Sequence, residues 1–248
     1  MKETHDYTRR LYNKIAEWYH DLRTKDSGWF YNEMLEMPTT LKLLGNVKDK
    51  KILDLGCGTG IYAKVLTNKG AIIRCIDISE EMIKIAKKGN PKIEFKIGNM
   101  DNLPYKDKEF DVVLAALSLE YSKDWDPIFK EVKRVLKDNG LFVFSGSNPV
   151  IDVAKKVVYR GRKFRIVKDY FKEGFRETKW TTEHGAYIKI RFYHKTYGTI
   201  VKTILRNGFE IIDYEDAFPI DIARKKFPKD YKLWSNMPFF CTWKIMKR

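Results

Sequence analysis

Three glycines fall within five positions, Gly56-Cys57-Gly58-Thr59-Gly60, directly after the apolar run Ile52–Leu55 and before a run with helical character. Glycine tolerates positive φ and carries no β-carbon, so such a turn lets a bound molecule come close to the backbone. A second residue type sharpens the chemistry. Asp77 closes a further apolar run, Ala71–Ile76, and lies 17 residues beyond Gly60. A carboxylate there can accept hydrogen bonds from both hydroxyls of a ribose. On its own it could equally cap a helix or close a turn, but beside the glycine loop it points to a nucleoside. The spacing is G-x-G-x-G, with Ile at position 61. A nicotinamide or flavin loop places its third glycine one residue later, around a pyrophosphate. No GKS or GKT follows to hold a triphosphate.

The elements that must position these residues alternate. Strands are expected at Ile52–Leu55, Ala71–Ile76, Ile93–Ile97, Asp111–Leu114 and Leu141–Phe144. Helices are expected at 59–68, from Ser79 to Gly89-Asn90-Pro91, and at Trp125–Leu136. Ser79 is a good N-cap, and Glu80 and Glu81 suit the first turn of a helix. Alternation at this spacing implies a parallel sheet covered on both faces, with its ligand at the carboxyl ends of the strands. Upstream, residues 8–20 carry Leu11, Ile15 and Trp18 at helical spacing, and residues 28–45 continue that pattern to Gly45. Beyond Pro149 the rhythm breaks. Residues 150–198 are basic and aromatic and read as an insert made of a helix and a hairpin. Thr196 can cap a helix to Asn207-Gly208, and Phe209–Tyr214 and Phe239–Met246 read as closing strands on either side of Ile220–Lys232.

The stretches LDLGCGTG from Leu53, CIDISEEMI from Cys75, GNMDNLPYKDKEFDVVLAALSLEY from Gly98 and LKDNGLFVFS from Leu136 together resemble the class I S-adenosylmethionine-dependent methyltransferases. They are most similar to the small-molecule type that includes the ubiquinone and menaquinone biosynthesis enzymes. The resemblance covers roughly residues 50–147. It implies an α/β fold: a doubly wound, Rossmann-like, mainly parallel seven-stranded sheet with an N-terminal helical cap and an insert after the fifth strand. It implies one methyltransferase domain over 1–248, divided into a cap (1–45), a cofactor-binding core (46–149), a substrate-lid insert (150–198) and a closing helix and strands (199–248).

The same resemblance implies the cofactor S-adenosyl-L-methionine, leaving as S-adenosyl-L-homocysteine, and assigns its contacts. Gly56, Gly58 and Gly60 pass under the methionine part, and Asp54 orients the loop or the amino group. Asp77 holds the ribose, Ile78 and Met82 pack on the adenine, Met100 lies beside that ring and Asp101 accepts from its amino group. Leu117 lies near the reactive methyl, and Tyr12 and Tyr19 belong to a helix folded over the cofactor. Methyl transfer from a sulfonium is an in-line displacement that needs alignment and sometimes a base. Candidate bases and positioners are Tyr19, Glu120 and His194, with Tyr12, His20 and Tyr121 beside them. Glu120-Tyr121 stands where many relatives carry a pair of histidines, so a histidine relay is in doubt at that point. Glu120 could bind an amine, accept a proton or cap the next helix.

Composition sets the remaining bounds. Of 248 residues 44% are hydrophobic and 14% aromatic, enough for a large core and against disorder. Cys57, Cys75 and Cys241 show no zinc spacing and no CxxC, so buried free thiols, a cytoplasmic setting and no metal are expected. No apolar run reaches the length of a membrane helix, and no membrane partner is expected. The net charge of +15 admits RNA as a partner beside a small-molecule acceptor, or merely solvates the surface. The insert interleaves Tyr159, Phe164, Tyr170, Phe171, Phe175 and Trp180 with Arg160, Arg162, Lys163, Arg165 and Arg176. It would suit a lid over a flat or anionic molecule, a stacking surface for single-stranded RNA, or a packing layer. An N/D-P-P-[YF] signature for base-amino methylation is missing after the fourth strand, which favours the small molecule over RNA. A catalytically silent cofactor-binding module that activates a partner is the third reading.

Overall fold

The computed structural model describes residues 2–25, 29–181 and 187–248. Residue 28, the expected start of the second helix, and the side chains of Arg162 and Lys163 lie outside the described part. At the centre, β1 (Lys51–Leu55) runs parallel to β2 (Ile72–Asp77) on one side and to β4 (Phe110–Ala116) on the other. β3 (Glu94–Ile97) continues the sheet past β2, and β5 (Leu136–Ser147) past β4. The far edge is antiparallel: β11 (Phe240–Lys247) pairs with β5, and β10 (Phe209–Asp216) pairs with β11. The seven strands therefore lie in the order β10-β11-β5-β4-β1-β2-β3. The central strands are mostly apolar because helices cover both faces, with charged residues such as Lys51, Asp77 and Asp111 at their ends and Asp54 and Arg74 inside β1 and β2.

Three helices alternate with the parallel strands: α3 (Ile61–Asn68), α4 (Glu80–Gly89) and α5 (Asp126–Val135). In α5 the buried residues Ile128, Phe129, Val132 and Val135 recur at helical spacing and pack against Phe142, Phe144 and Phe209. On the opposite face Tyr62, Ala63, Leu66, Ile83 and Ala86 pack against Ile52, Ile73 and Val143. α6 (Tyr197–Arg206) is capped by Thr196, whose hydroxyl accepts from the Thr199 N–H. Asp111, at the start of β4, accepts from the Lys51 N–H at 2.8 Å and from Lys137 Nζ at 2.6 Å, tying strand ends together.

The N-terminal segment is longer than its periodicity suggests. α1 spans Lys2–Thr24. A π-helical turn, Phe30–Glu36, then runs into α2 (Met37–Leu44), which stops at Gly45 with φ 69°. Pro38 explains the irregular join: it has no N–H to donate back into the preceding turn. The Met34 carbonyl accepts from the Ile220 N–H at 3.0 Å instead. This joins the turn to α7 (Ala223–Lys226) and α8 (Pro228–Trp234) through a small apolar cluster of Phe30, Leu35, Ala223, Trp234 and Phe240.

The insert corrects the expectation of a helix and a hairpin. It forms two hairpins, β6 (Ala154–Tyr159) with β7 (Arg162–Val167), and β8 (Gly174–Thr181) with β9 (Tyr187–His194). The strands are rich in Val, Ile, Tyr and Phe, which suit a pleated surface. Arg160 and Gly161 both take positive φ, 47° and 74°, as a two-residue hairpin turn requires. Among the described residues no helix is long and apolar enough to cross a membrane.

Phe129 sits at the centre of the larger core, within 6.1 Å of the rings of Trp125, Phe142, Phe144 and Phe209. Phe129→Ala should destabilise the protein by about 3–5 kcal/mol with an unchanged denaturant slope. Urea unfolding gives the number, and a loss under about 1 kcal/mol would mean that this layer is not the core.

Candidate functional site

The turn after β1 is held open by its backbone. Gly56, Gly58 and Gly60 have φ of 71°, 53° and 78°. A β-carbon on Gly56 would lie 2.6 Å from that of Ser118, and one on Gly60 would press on Phe95 and Asn90 at 3.1 Å. Gly58 differs: nothing lies within 4 Å of where its β-carbon would be. Two glycines are thus required by the protein's own packing, and the third faces open space. The loop is pinned to β2, because the Gly56 and Cys57 N–H groups donate to the Ile76 carbonyl. The Gly58 N–H donates to Asp77 Oδ2 at 2.8 Å, while Asp77 Oδ1 accepts from the Ser79 N–H at 2.9 Å. Burial raises the Asp77 pKa, and these two backbone donors work against that rise.

The open space belongs to a cleft of about 1040 Å³, solvent at its mouth included. It lies at the carboxyl ends of β1, β2 and β4, where the strand order reverses. Of the residues singled out from the sequence, the cleft brings together Tyr12, Tyr19, Asp54, Gly56, Gly58 and Asp77. It also takes in Ile78, Met82, Met100, Asp101, Leu117 and Tyr121. Gly60 is not among its lining; it starts α3 in the left-handed conformation.

Asp54 is the electrostatic centre of the cleft. It is 1% exposed, and its Oδ2 has no hydrogen-bond partner. Burial, then the neighbouring Asp77 and Glu36, push its pKa up to about 8. An unpartnered buried carboxyl oxygen on a cleft wall fits a cationic amino group, which would supply both charge and donors. The residues present therefore suit an aminoacyl nucleoside: acids for an amine and a ribose, apolar Ile78 and Met82 for a flat base. Leu117 lies where the β4 strand ends, and its φ of 50° is costly for a leucine. Its N–H donates to the carbonyl and hydroxyl of Ser145, which hold it there.

Tyr12, Tyr19 and Tyr121 line the cleft, and Trp180 packs on Tyr19 from outside the lining. Tyr12 donates to the Tyr121 hydroxyl at 2.6 Å and meets the Tyr19 ring edge-on. Tyr19 stacks on Trp180 of β8 at 6.2 Å, and Trp180 in turn meets Trp29. Burial raises the pKa of Tyr12, Tyr19 and Tyr121, so all three are neutral near pH 7. His20 lies outside the lining and contacts the Thr59 hydroxyl through Nδ1 at 2.9 Å.

Two candidate bases lie elsewhere. His194 is fully buried: Nε2–H donates to the Tyr170 carbonyl at 2.8 Å, and Nδ1 is 3.2 Å from Asp152 Oδ2. Burial lowers its pKa, but Asp152 and the Tyr170 carbonyl outweigh this and raise it. Both nitrogens are occupied, so the ring joins β9 to Asp152 and Tyr170 and does not reach the cleft. Glu120 lines a smaller cavity behind the cleft with Asp152, Tyr193 and Lys195, and accepts from the Ser147 N–H at 3.0 Å. Burial pushes its pKa to about 7.

Several polar residues at the site carry no sequence signal. Glu36, fully buried, accepts from Thr40, Ser145 and the Tyr62 hydroxyl. Arg23 lines the cleft and donates twice to Glu33. His5 approaches Asp101 at 3.9 Å. All come from the N-terminal segment, whose pattern reads only as amphipathic helix. No group of three or more His, Cys, Asp or Glu fit to hold a metal occurs among the described residues.

The pattern of a family described as a methyltransferase domain matches residues 53–144. The demethylmenaquinone methyltransferase of Lactococcus lactis is 29% identical over 248 aligned positions, covering 95% of each chain. That of Thermotoga maritima is 32% identical over 149 positions, 57% of this chain and 62% of its own. Among solved structures, an S-adenosylmethionine dependent methyltransferase from Mesorhizobium loti superimposes with a TM-score of 0.76 at 27% identity, over 86% of this chain and 97% of that one.

The raised pKa of Asp54 makes stability depend on pH. Below about pH 4 the group is protonated in both the folded and unfolded chain. Between there and its folded value of about 8, the folded state keeps a proton that the unfolded state has lost, so stability falls as pH rises. Glu120 acts in the same direction. Asp54→Asn should flatten the fall in urea midpoint between about pH 6 and 8. A variant as pH-dependent as the parent would show that Asp54 does not hold that proton.

Proposed function

The chain belongs to the class I S-adenosylmethionine-dependent methyltransferases, and from that premise we propose that it methylates a flat, ring-bearing small molecule at the mouth of the Asp54 cleft. The observation that carries the reading is the unpartnered Asp54 oxygen, buried beside the open space at Gly58. A ligand without a donor there would leave that carboxyl oxygen unpaired, and a cofactor with an amino group would not. The cofactor supplies an electrophilic methyl group, displaced in line by the acceptor's nucleophile.

On this reading the chain's own residues bind and align. Asp54 takes the amino group, and the glycine loop lets the methionine part approach. Asp77 spends one lone pair of each oxygen on the backbone and keeps the others for ribose hydroxyls. Ile78 and Met82 flank the adenine, with Met100 beside it and Asp101 at its amino edge. Leu117, strained at the end of β4, limits the space near the methyl. Tyr12 covers the cofactor, and Tyr19 positions the acceptor. Glu120 and His194 act at a distance, by fixing the wall behind Tyr121 and the base of the β8–β9 hairpin.

The acceptor class is supported by the aromatic lining. Tyr12, Tyr19 and Tyr121 line the cleft with ring faces and edges, which suit a planar apolar molecule. Likeness to demethylmenaquinone methyltransferases supports the same class. Free, buried Cys57, Cys75 and Cys241 support a reducing, cytoplasmic setting.

Incubation with methyl-labelled S-adenosylmethionine and source-cell extract should place label in the metabolite fraction. Label in nuclease-sensitive material would replace the small molecule with RNA. No label, with cofactor binding intact, would make the chain a silent binding module. Calorimetry with S-adenosylhomocysteine should show affinity falling at least tenfold in Asp77→Ala, about the 1.5 kcal/mol of an unpaired polar contact. Unchanged affinity would remove Asp77 from the site.

A further inference from the structure

The β6–β7 hairpin exposes apolar side chains that the cleft does not use. Its register pairs Lys155 with Ile166 and Val157 with Phe164, and sets Tyr159 on the same face. That face shows Tyr159 at 62%, Ile166 at 52% and Phe164 at 46% exposure. Phe171, in the link to β8, is 89% exposed. The opposite face is held at one point, where the Arg165 guanidinium lies over the Trp234 ring of α8 at 4.9 Å, and it too exposes Val158 at 70% and Val167 at 48%. A two-stranded hairpin is marginal on its own, and one that leaves its apolar face in water gains little from that face.

Charge decides what covers it. Residues 154–168 hold seven Lys or Arg and no Asp or Glu. A second copy of the chain would bring two such segments together and repel itself. Single-stranded RNA would meet the charge and find rings at Tyr159 and Phe164, but the aliphatic side chains exposed between them, Val158, Ile166 and Val167, would gain nothing from a base or a phosphate. A lipid surface with anionic headgroups takes aliphatic and aromatic side chains into the headgroup boundary while Lys and Arg meet the phosphates. The segment joined through Trp234 has the same character: Phe218 and Ile222 are exposed beside Arg224, Lys225 and Lys226. We propose that the β6–β7 hairpin is a docking surface for an anionic lipid bilayer, entered by Val157, Tyr159, Phe164 and Ile166 and held by the surrounding basic residues. The proposal departs from the expectation of no membrane partner, and it stands apart from the identity of the methyl acceptor.

Flotation of the full chain with vesicles tests it. Binding is expected to vesicles of phosphatidylcholine with phosphatidylglycerol, and not to phosphatidylcholine alone. Lys155→Glu/Lys156→Glu should weaken vesicle affinity at least about thirtyfold, since each basic residue contributes about 1 kcal/mol and about 1.4 kcal/mol is tenfold, and Phe164→Ser/Ile166→Ser should also lower the bound fraction. Lys87→Glu/Lys88→Glu, on α4, should leave it unchanged. S-Adenosylhomocysteine binding equal in all variants reports an intact fold. Four results overturn the proposal: no binding to the anionic vesicles; equal loss in the α4 variant; tighter retention of bulk RNA than of vesicles through the same hairpin residues; or a dimer that the Phe164/Ile166 variant splits.

Discussion

The hydrogen bond from the Gly58 N–H to the Asp77 carboxylate, beside those from Gly56 and Cys57 to the Ile76 carbonyl, joins the two halves of the site. It ties the loop leaving β1 to the end of β2, and the loop can reach it only through successive left-handed residues. Ser118 walls one side of that path and Phe95 the other, so Gly56 and Gly60 answer to packing, while Gly58 leaves the ligand side bare. The rest follows from where this loop sits. β4 must end beside it, which puts Leu117 in a strained turn with its N–H anchored on Ser145. α4 must begin at Ser79, whose N–H completes the Asp77 carboxylate. Position 77 is thus at once a structural clasp and the cleft's polar floor.

What the sequence makes legible is whatever depends on local periodicity. The strand–helix alternation, the glycine turn and Asp77 are all read within a few residues of one another, and the sheet places them together. Residues assembled from distant segments are not legible. Glu36 is buried against Ser145, 109 residues away, and nothing near Glu36 announces it. Gly60 looks identical to Gly58 in sequence, but only the position of Phe95 separates a packing glycine from one facing the ligand. His194 ends a basic segment as a base might, yet its two nitrogens close on Tyr170 and Asp152, contacts that only the two-hairpin arrangement creates. The hairpins were obscured because Lys and Arg interrupt their apolar alternation, although Arg160-Gly161 is a recognisable two-residue turn.

The chain separates its charges. Its excess of Lys and Arg lies outward, on helix faces and on the β6–β7 hairpin, whereas the cleft gathers Asp54, Asp77 and Asp101, with Glu36 behind them. A charge in the cleft is screened less than one on the surface, while burial raises the pKa of Asp54 and Asp77 and so opposes their ionisation. With the proposed cofactor, the acids would face two positive centres before transfer and one afterwards, because the sulfonium becomes a neutral thioether. The same groups would therefore hold substrate cofactor more firmly than product. Asp54 sets the limit of that preference. Its proton, retained near neutrality, must leave before the carboxylate can meet an amine, so part of the attraction is used to ionise it. A basic protein with an acidic cleft needs no conflict between the two: the cleft selects by local charge, and the surface answers to whatever the whole chain meets.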